Sequence, residues 1–140
     1  MWCDSAGAGT QRGGIGFDRE YEFLTDCTLT VRSSNQTETA WGLFGGGSPQ
    51  PSKTSITLPD GTHQEMGVLE TRVITPGSVL RLARSGGGGY GDPFARPVET
   101  VLADVADGYV SGEAAARLYG VAIKEDGGLD EGKTRRLRSR

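Results

Sequence analysis

The sequence is poor in metal-binding side chains. It contains one histidine, His63, and two cysteines, Cys3 and Cys27. These residues lie far apart and do not follow the closely spaced pattern of cysteine and histidine zinc ligands. The sequence therefore predicts no metal site. Two unpaired thiols are typical of a protein in a reducing compartment, where cysteine serves as a small apolar group.

Long apolar runs are also missing. No run approaches the length of about 18 residues that a membrane span needs, and no signal-peptide core is present. We therefore expect a cytoplasmic protein without a membrane partner. Hydrophobic residues make up 35% of the chain, which is low for a globular domain.

Basic charge is scarce over most of the chain. Residues 1–123 contain 9 basic and 14 acidic side chains, whereas residues 124–140 contain 6 basic and 4 acidic ones. A surface with excess acid repels the phosphate backbone of nucleic acids. We therefore expect no nucleic-acid partner.

Glycine, in contrast, is abundant, at 23 of 140 residues, against an ordinary usage of about 7%. The longest run, Gly86 to Gly89, is followed by Tyr90, Gly91 and Pro93. Gly86, Gly88 and Gly91 match the dinucleotide fingerprint formally, but that motif must open a helix. Pro93 follows too soon for this, because the residue before a proline avoids the helical region. The run is therefore interpreted as a segment where backbones pack closely together.

Alternating apolar and polar residues between the glycines predict a mainly β protein. In the first such stretch, Ile15 to Phe23, one face carries four apolar or aromatic residues and Arg19, while Asp18, Glu20 and Glu22 lie on the other. This pattern predicts a half-buried strand. Further strands are predicted at Thr28–Arg32, Thr39–Phe44, Ser55–Leu58, Thr62–Met66, Thr71–Ile74 and Ser78–Ala83. Their spacing predicts antiparallel sheets arranged as a barrel or sandwich.

The spacing of apolar residues changes to a helical period after the glycine run. Val98, Val101, Leu102 and Val105 share one helical face, with Gly108 as the stop. Ser111 caps a second short helix that ends at Gly120. We therefore predict one domain over residues 1–123 with two short carboxy-terminal helices, followed by a disordered charged tail over residues 124–140.

Three glycine-rich motifs occur in an order that resembles the carboxy-terminal part of the hydantoinase B/oxoprolinase family. They are Gly13-Gly-Ile-Gly-Phe-Asp-Arg-Glu-Tyr-Glu-Phe23, Gly42-Leu-Phe-Gly-Gly46 and Ser85-Gly-Gly-Gly-Gly-Tyr-Gly-Asp-Pro93. The resemblance extends over residues 5–123. It implies sheets that continue into a bundle of glycine-rich, polyproline-like segments.

The resemblance also implies a function. Members of the family are B-type subunits of ATP-dependent enzymes that open cyclic amides such as hydantoins and 5-oxoproline, or of related ketone carboxylases. The expected partners are an A-type ATPase subunit and the remaining portion of a B-type subunit, in a hetero-oligomer. ATP and a divalent metal are implied for the full complex, and no cofactor is expected on this chain. The alternatives are a non-catalytic assembly module, a truncated fragment of such a subunit, or a small subunit of a ketone carboxylase.

No catalytic, cofactor-binding or metal-binding residue is carried over, because the resemblance places those positions mainly in an amino-terminal portion of B-type subunits. Arg12 and Arg19, beside a glycine-rich turn, are candidate contacts for an anionic intermediate. Their alternative role is pairing with nearby carboxylates. Structural roles are predicted for Gly13, Gly14, Gly45, Gly46, Gly86, Gly87, Gly88, Gly89, Tyr90 and Gly91.

Overall fold

A computed structural model describes residues 1–139 and is mainly β. The six strands are β1 (Phe17–Glu22), β2 (Cys27–Arg32), β3 (Lys53–Thr57), β4 (His63–Glu65), β5 (Leu69–Ile74) and β6 (Val79–Arg84). Four of them form an antiparallel sheet in the order β1-β6-β3-β4, and β2 pairs with β5 in a second antiparallel sheet. Both sheets are open, so of the two predicted arrangements, barrel and sandwich, the structure has the sandwich-like one.

The two sheets share an apolar core. Val31 and Ile74 come from the two-stranded sheet, while Ile56 and Leu80 come from β3 and β6 of the larger one. All four side chains are nearly excluded from water. Their burial is the main force holding the sheets together.

The β3–β4 hairpin predicted from its turn residues is confirmed. Gly61 has φ of 84°, a conformation that glycine adopts without steric cost. The Thr62 amide donates to the Asp60 carboxylate at 2.8 Å. The Asp-Gly pair therefore closes the hairpin as the sequence indicates.

Strand β1 differs from its prediction. Phe17 and Tyr21, expected on a buried face, are 44% and 42% exposed. The strand lies at the edge of its sheet, and the core between the sheets rests on β3 and β6. The predicted half-buried strand is thus an uncovered edge strand.

The strand predicted at Thr39–Phe44 does not form. Leu43 forms only an isolated bridge with Tyr90. The physical reason is that this segment pairs with the glycine run instead of joining a sheet: the Leu43 amide donates to the Gly89 carbonyl at 2.9 Å.

The two predicted helices are confirmed as α1 (Val98–Ala106) and α2 (Gly112–Tyr119). The Ser111 hydroxyl accepts from the Ala114 amide at 3.1 Å, and Gly120 ends α2 with φ of 65°. The helices form a second core, to which the amino-terminal segment contributes Ala8. Its buried members are Ala8, Val101, Val110, Ala114, Ala115, Tyr119 and Val121.

The chain after residue 123 departs from the predicted disorder. A third helix, α3 (Glu131–Arg138), is capped by Asp130. Thr134 is buried, and its hydroxyl accepts from the Ala122 amide at 2.9 Å. Arg138 donates to the Arg96 carbonyl at 2.8 Å. These contacts order a segment whose composition alone predicts disorder, while Arg140 lies outside the described residues.

None of the helices formed by residues 1–139 has the length and apolar character that crossing a membrane requires.

Candidate functional site

Three glycine-rich segments lie side by side and bond through their backbones. They cover residues 5–16, 41–47 and 85–91, and together form what we call the glycine assembly. The Gly7 amide donates to the Gly87 carbonyl at 2.9 Å, Gly89 to Gly47 at 2.9 Å, and Gly47 to Ala8 at 2.7 Å. Each segment thus bonds to both of the others.

The backbones in this assembly approach so closely that side chains do not fit. A Cβ atom at Gly13 would lie 2.0 Å from the Gly87 carbonyl oxygen, and one at Gly88 would lie 2.2 Å from the Trp41 carbonyl oxygen. At Gly46 and Gly89 the corresponding distances to backbone oxygens are 2.1 and 1.9 Å. Real contacts of this kind need more than 3 Å, so these positions require glycine for packing.

The other predicted glycines play different parts. A Cβ at Gly86 would lie 2.5 Å from a backbone oxygen, whereas one at Gly87 would make an ordinary contact at 3.4 Å. Gly45 and Gly91 have φ of 93° and 75°, so their need for glycine is conformational. A Cβ at Gly14 would have nothing within 4 Å, so no packing reason requires glycine there.

Four further tightly packed glycines are not among the predicted structural positions: Gly7, Gly9, Gly16 and Gly42. A Cβ at each would lie within 2.7 Å of a backbone atom. All four belong to the same glycine-rich segments as the predicted set, and Gly16 and Gly42 lie inside the quoted motifs. Membership of those segments is the signal that could have found them.

The glycine run does not fit a nucleotide phosphate. Such a site needs backbone amides without other hydrogen-bond partners, in a loop that leads into the start of a helix. Here the amides of Gly87, Gly89, Tyr90 and Gly91 donate to backbone carbonyls of the neighbouring segments. They are therefore not available to a phosphate, which supports the rejection of the dinucleotide fingerprint.

Arg12, one of the two candidate anion contacts, is partly buried in a cluster of charged side chains. Its Nε and Nη2 atoms each donate to a carboxylate oxygen of Asp104 at 3.2 Å. Arg96 Nη2 donates to the same carboxylate at 2.9 Å. The Arg12 guanidinium also lies 5.1 Å from the centre of the Tyr109 ring. Arg12 thus joins the glycine assembly to α1.

The cluster has two positive groups and one negative group. The side chains of Arg96 and Asp104 are each 9% exposed. Arg96 Nη1 donates to the Thr10 carbonyl at 2.9 Å, while its buried Nε has no partner among the described residues. Because this one carboxylate is the ion-pair partner of both arginines, its removal would leave both without a counter-charge.

Arg96 and Asp104 are not singled out by the sequence analysis. Asp104 lies one helical turn after Val101 on the apolar side of α1, where a carboxylate needs a cationic partner. That position is the available signal. Its partner Arg12 lies 92 residues away, so residue spacing along the chain cannot identify this pair.

Arg19 has different surroundings from Arg12. Its guanidinium lies 4.9 Å from the centre of the Phe17 ring, and Nη1 donates to the Tyr21 hydroxyl at 3.1 Å. This contact is exposed. The structure therefore does not bring the two candidate arginines into one site, and anion binding by either one stays a prediction.

A polar cavity of about 250 Å³ lies on the outer face of the larger sheet, between β3, β4 and β6, with Trp2 also in its lining. His63 Nδ1 is 3.2 Å from the Thr57 hydroxyl, and its Nε2 is 3.4 Å from Glu65. Both His63 and Glu65 are more than half exposed. Water reaches this row of polar groups freely, so it lacks the enclosure that nucleophilic catalysis uses.

Charged pairs also stabilise the sheet surface. The Arg81 guanidinium bonds to Asp18 and lowers the pKa of that carboxyl. A hydrogen bond from the Gly67 amide is the main cause that lowers the pKa of the Glu70 carboxyl, and a hydrogen bond from Arg72 lowers it further. Across residues 1–139 no group of three or more histidine, cysteine, aspartate or glutamate side chains is arranged to hold one metal ion.

Burial raises the pKa of the Tyr119 phenol above its ordinary value of 10.0. The folded state therefore keeps this proton at pH values where the unfolded state loses it, and stability falls as the pH rises above about 10. We expect Tyr119→Phe to remove up to about 1.4 kcal/mol per pH unit of this alkaline loss. Urea denaturation of both proteins between about pH 8 and pH 11, a range that spans the ordinary tyrosine pKa, measures the difference. Identical slopes would contradict the expectation.

Comparison with known proteins identifies the chain's relatives. A family model described as Hydantoinase B/oxoprolinase matches residues 1–93. The B-type subunit of a putative D-/L-hydantoinase from Pseudomonas sp. (strain NS671) is 36% identical over 139 residues, covering 96% of this chain and 23% of that protein. The caprolactamase beta subunit of Pseudomonas jessenii is 38% identical over 142 residues, covering 96% of this chain and 24% of that protein.

Two solved structures match 99% of the chain. The ATP-dependent caprolactamase of Pseudomonas jessenii has a TM-score of 0.84 at 34% identity, with 25% of its chain covered. Nucleotide-free acetone carboxylase has a TM-score of 0.82 at 24% identity, with 23% covered, and this match shows a shared fold. The chain spans about a quarter of the length of these relatives. The glycine motifs, the fold and these matches agree, and we conclude that the chain belongs to the hydantoinase B/oxoprolinase family.

Proposed function

We propose that the chain is the carboxy-terminal part of a B-type subunit in an ATP-dependent enzyme that opens cyclic amides. One observation carries this proposal: nearly the whole chain superimposes on the ATP-dependent caprolactamase at 34% identity. Caprolactam is a cyclic amide, as are hydantoins. The relative named as part of a hydantoinase, at 36% identity, therefore points to the same class of bond.

Ketone carboxylation has weaker support. The acetone carboxylase match has nearly the same TM-score but only 24% identity, so it supports the fold and not the substrate. The proposal therefore favours hydrolysis of a cyclic amide over carboxylation of a ketone.

In this proposal the chain supplies a rigid frame. The glycine assembly is fixed by backbone bonds between its segments, and the cluster of Arg12, Arg96 and Asp104 ties it to the helices. A frame of this kind positions the groups of neighbouring polypeptide without itself contacting the substrate. No residue of this chain is assigned a catalytic role.

The proposed enzyme is a hetero-oligomer. Two relatives are named as the B and beta subunits of their enzymes, which supports the presence of a second kind of subunit. We propose that this partner is an ATPase and that ATP and a divalent metal bind outside this chain. The glycine run fits that arrangement because the amides of Gly87 and Gly89 are already bonded to carbonyls of neighbouring segments.

The test is a replacement experiment. The matched quarter of the caprolactamase beta subunit is exchanged for this chain, and the hybrid is purified with its partner subunit. We expect ATP-dependent opening of caprolactam at a rate at least about tenfold above that of a beta subunit lacking the quarter, a difference of about 1.4 kcal/mol in barrier.

A hybrid carrying Gly14→Ala serves as the matched control and is expected to retain the activity, since a methyl group there meets no neighbour. A soluble hybrid that assembles with its partner but opens no cyclic amide would contradict the proposal. Activity of an equivalent acetone carboxylase hybrid alone would favour the ketone substrate.

A further inference from the structure

The turn from Leu43 to Gly46 has an unusual backbone. The Gly46 amide donates to the Leu43 carbonyl at 3.0 Å, and the two central residues, Phe44 and Gly45, have φ of 51° and 93°. Positive φ at both positions defines a turn that favours glycine and asparagine. An aromatic residue at the first of these positions is strained.

Contacts within residues 1–139 do little to offset this strain. The ring of Phe44 contacts the ring of Tyr90, at 5.1 Å between centres, but this contact leaves the Phe44 side chain 79% exposed. Asp4, with φ of 59°, provides the contrast. Its carboxylate accepts from the Ser111 amide at 2.8 Å, so its conformation has a structural reason. The strain at Phe44 therefore points to a contact outside the described residues.

The rings of Phe44 and Tyr90 are in contact, and Trp41 lies three residues before Phe44 on the same segment. Trp41 and Tyr90 are 76% and 52% exposed, and we call these three exposed residues the aromatic cluster. The cluster stands on a rigid base. The Leu43 amide donates to Gly89, and the Gly91 amide donates back to Leu43, both at 2.9 Å. Large aromatic side chains held in place before binding are the usual anchors of protein interfaces.

The surroundings indicate which partner fits. The segment that carries Trp41 and Phe44, residues 39–52, contains no charged side chain, and the exposed Asp92 borders it beside Gly45. Interfaces that never dissociate are apolar and depleted in charge, whereas transient ones are more polar. The chain also covers only 25% of the caprolactamase chain with which it shares its fold. Permanently attached polypeptide of a B-type subunit therefore suits this surface better than a dissociating partner does.

We propose that the aromatic cluster of Trp41, Phe44 and Tyr90 docks into an apolar socket on the remaining portion of a B-type subunit. The inference rests on the proposed function, because it needs such a portion to exist. Phe44 enters the socket, and the free energy of its burial compensates for the strained backbone at its base.

The test compares one substitution in two settings. Phe44→Gly relieves the backbone strain and removes the ring. In the 140-residue chain alone we expect the melting temperature to stay the same or rise. In the caprolactamase hybrid we expect it to fall, because the docking contact is lost. This opposite sign separates docking from a merely structural role.

Binding is measured by co-expressing the tagged chain with the caprolactamase beta subunit lacking its matched quarter. We expect Phe44→Gly to weaken the recovered complex at least tenfold. Leu24→Ser is the matched control, since Leu24 is 82% exposed but lies outside the cluster, and it should bind as the unchanged chain does.

The outcomes separate the two proposals. Equal binding by the unchanged chain and Phe44→Gly overturns the docking inference and leaves the proposed function standing. A hybrid without cyclic-amide activity whose melting temperature still falls with Phe44→Gly contradicts the proposed reaction and supports the docking surface. Concentration-dependent dimers lost in Phe44→Gly, or binding only to the ATPase partner, would assign the cluster to another partner and overturn the inference.

Discussion

Gly13→Ala is expected to destabilise the protein by about 3 kcal/mol or more, the upper range for overpacking. The added methyl group would lie 2.0 Å from the Gly87 carbonyl oxygen and 2.8 Å from that of Gly88. The Gly87 carbonyl accepts from Gly7, and the amides of Gly87 and Gly89 donate to other segments, so the backbone that carries both oxygens cannot move away cheaply. A typical domain has only about 5–15 kcal/mol of stability, and the loss is therefore a large share.

The neighbouring residue provides the matched control. Gly14→Ala adds the same methyl group where nothing lies within 4 Å. It should leave stability unchanged or raise it by about 0.4–1 kcal/mol, because alanine restricts the unfolded chain. Urea denaturation of both variants measures the contrast. Equal midpoints for the two would show that close backbone packing does not set the need for glycine.

Asp104→Ala is expected to cost about 3–5 kcal/mol, the usual loss when one member of a buried ion pair is removed. The substitution leaves the buried Arg96 and the partly buried Arg12 without a counter-charge. Asp104 lies near the carboxy-terminal end of α1, where removing an acid gains about 0.3–1 kcal/mol from the helix dipole. The gain is smaller than the loss, so the net effect is destabilising.

Asp18→Ala is the surface counterpart, because it removes a carboxylate from Arg81, whose side chain is 56% exposed. Exposed pairs contribute about 0–1 kcal/mol, and salt screens them. Denaturation is therefore measured at low and at high sodium chloride. The added salt should reduce the stability loss caused by Asp18→Ala and leave the loss caused by Asp104→Ala unchanged. If the two variants lost equal stability, the buried cluster would have no special structural role.

Local signals in the sequence predict the elements that depend on neighbouring residues. The Asp60-Gly61 turn, the Ser111 cap and the Gly120 stop all have the predicted positions, because capping and turn geometry require particular residues at particular places. The α3 helix has such signals too. Asp130 precedes it and basic residues fill its last turn. The prediction of disorder follows from the high charge of the segment and does not take these helix signals into account.

Signals of this kind cannot predict what depends on distant residues. The alternation in β1 predicts a buried face, yet burial requires a covering layer that only the fold supplies, and Phe17 and Tyr21 are exposed. The bonding of Arg12 to Asp104 likewise joins residues 92 positions apart. The glycine motifs indicate close packing but not the partner of each glycine, so Gly13 and Gly14 cannot be told apart from the sequence.

The glycine assembly has a consequence for the order of folding. Its bonds join Gly7 to Gly87 and Gly89 to Gly47, so each forms only after a long loop of chain has closed. Loop closure costs entropy before any contact compensates for it, and topologies rich in distant contacts fold slowly. The α1 and α2 helices and the β3–β4 hairpin can form early from local contacts. The glycine segments, like the distant β1–β6 and β2–β5 pairings, should then come together late, which places their assembly among the slow steps of folding.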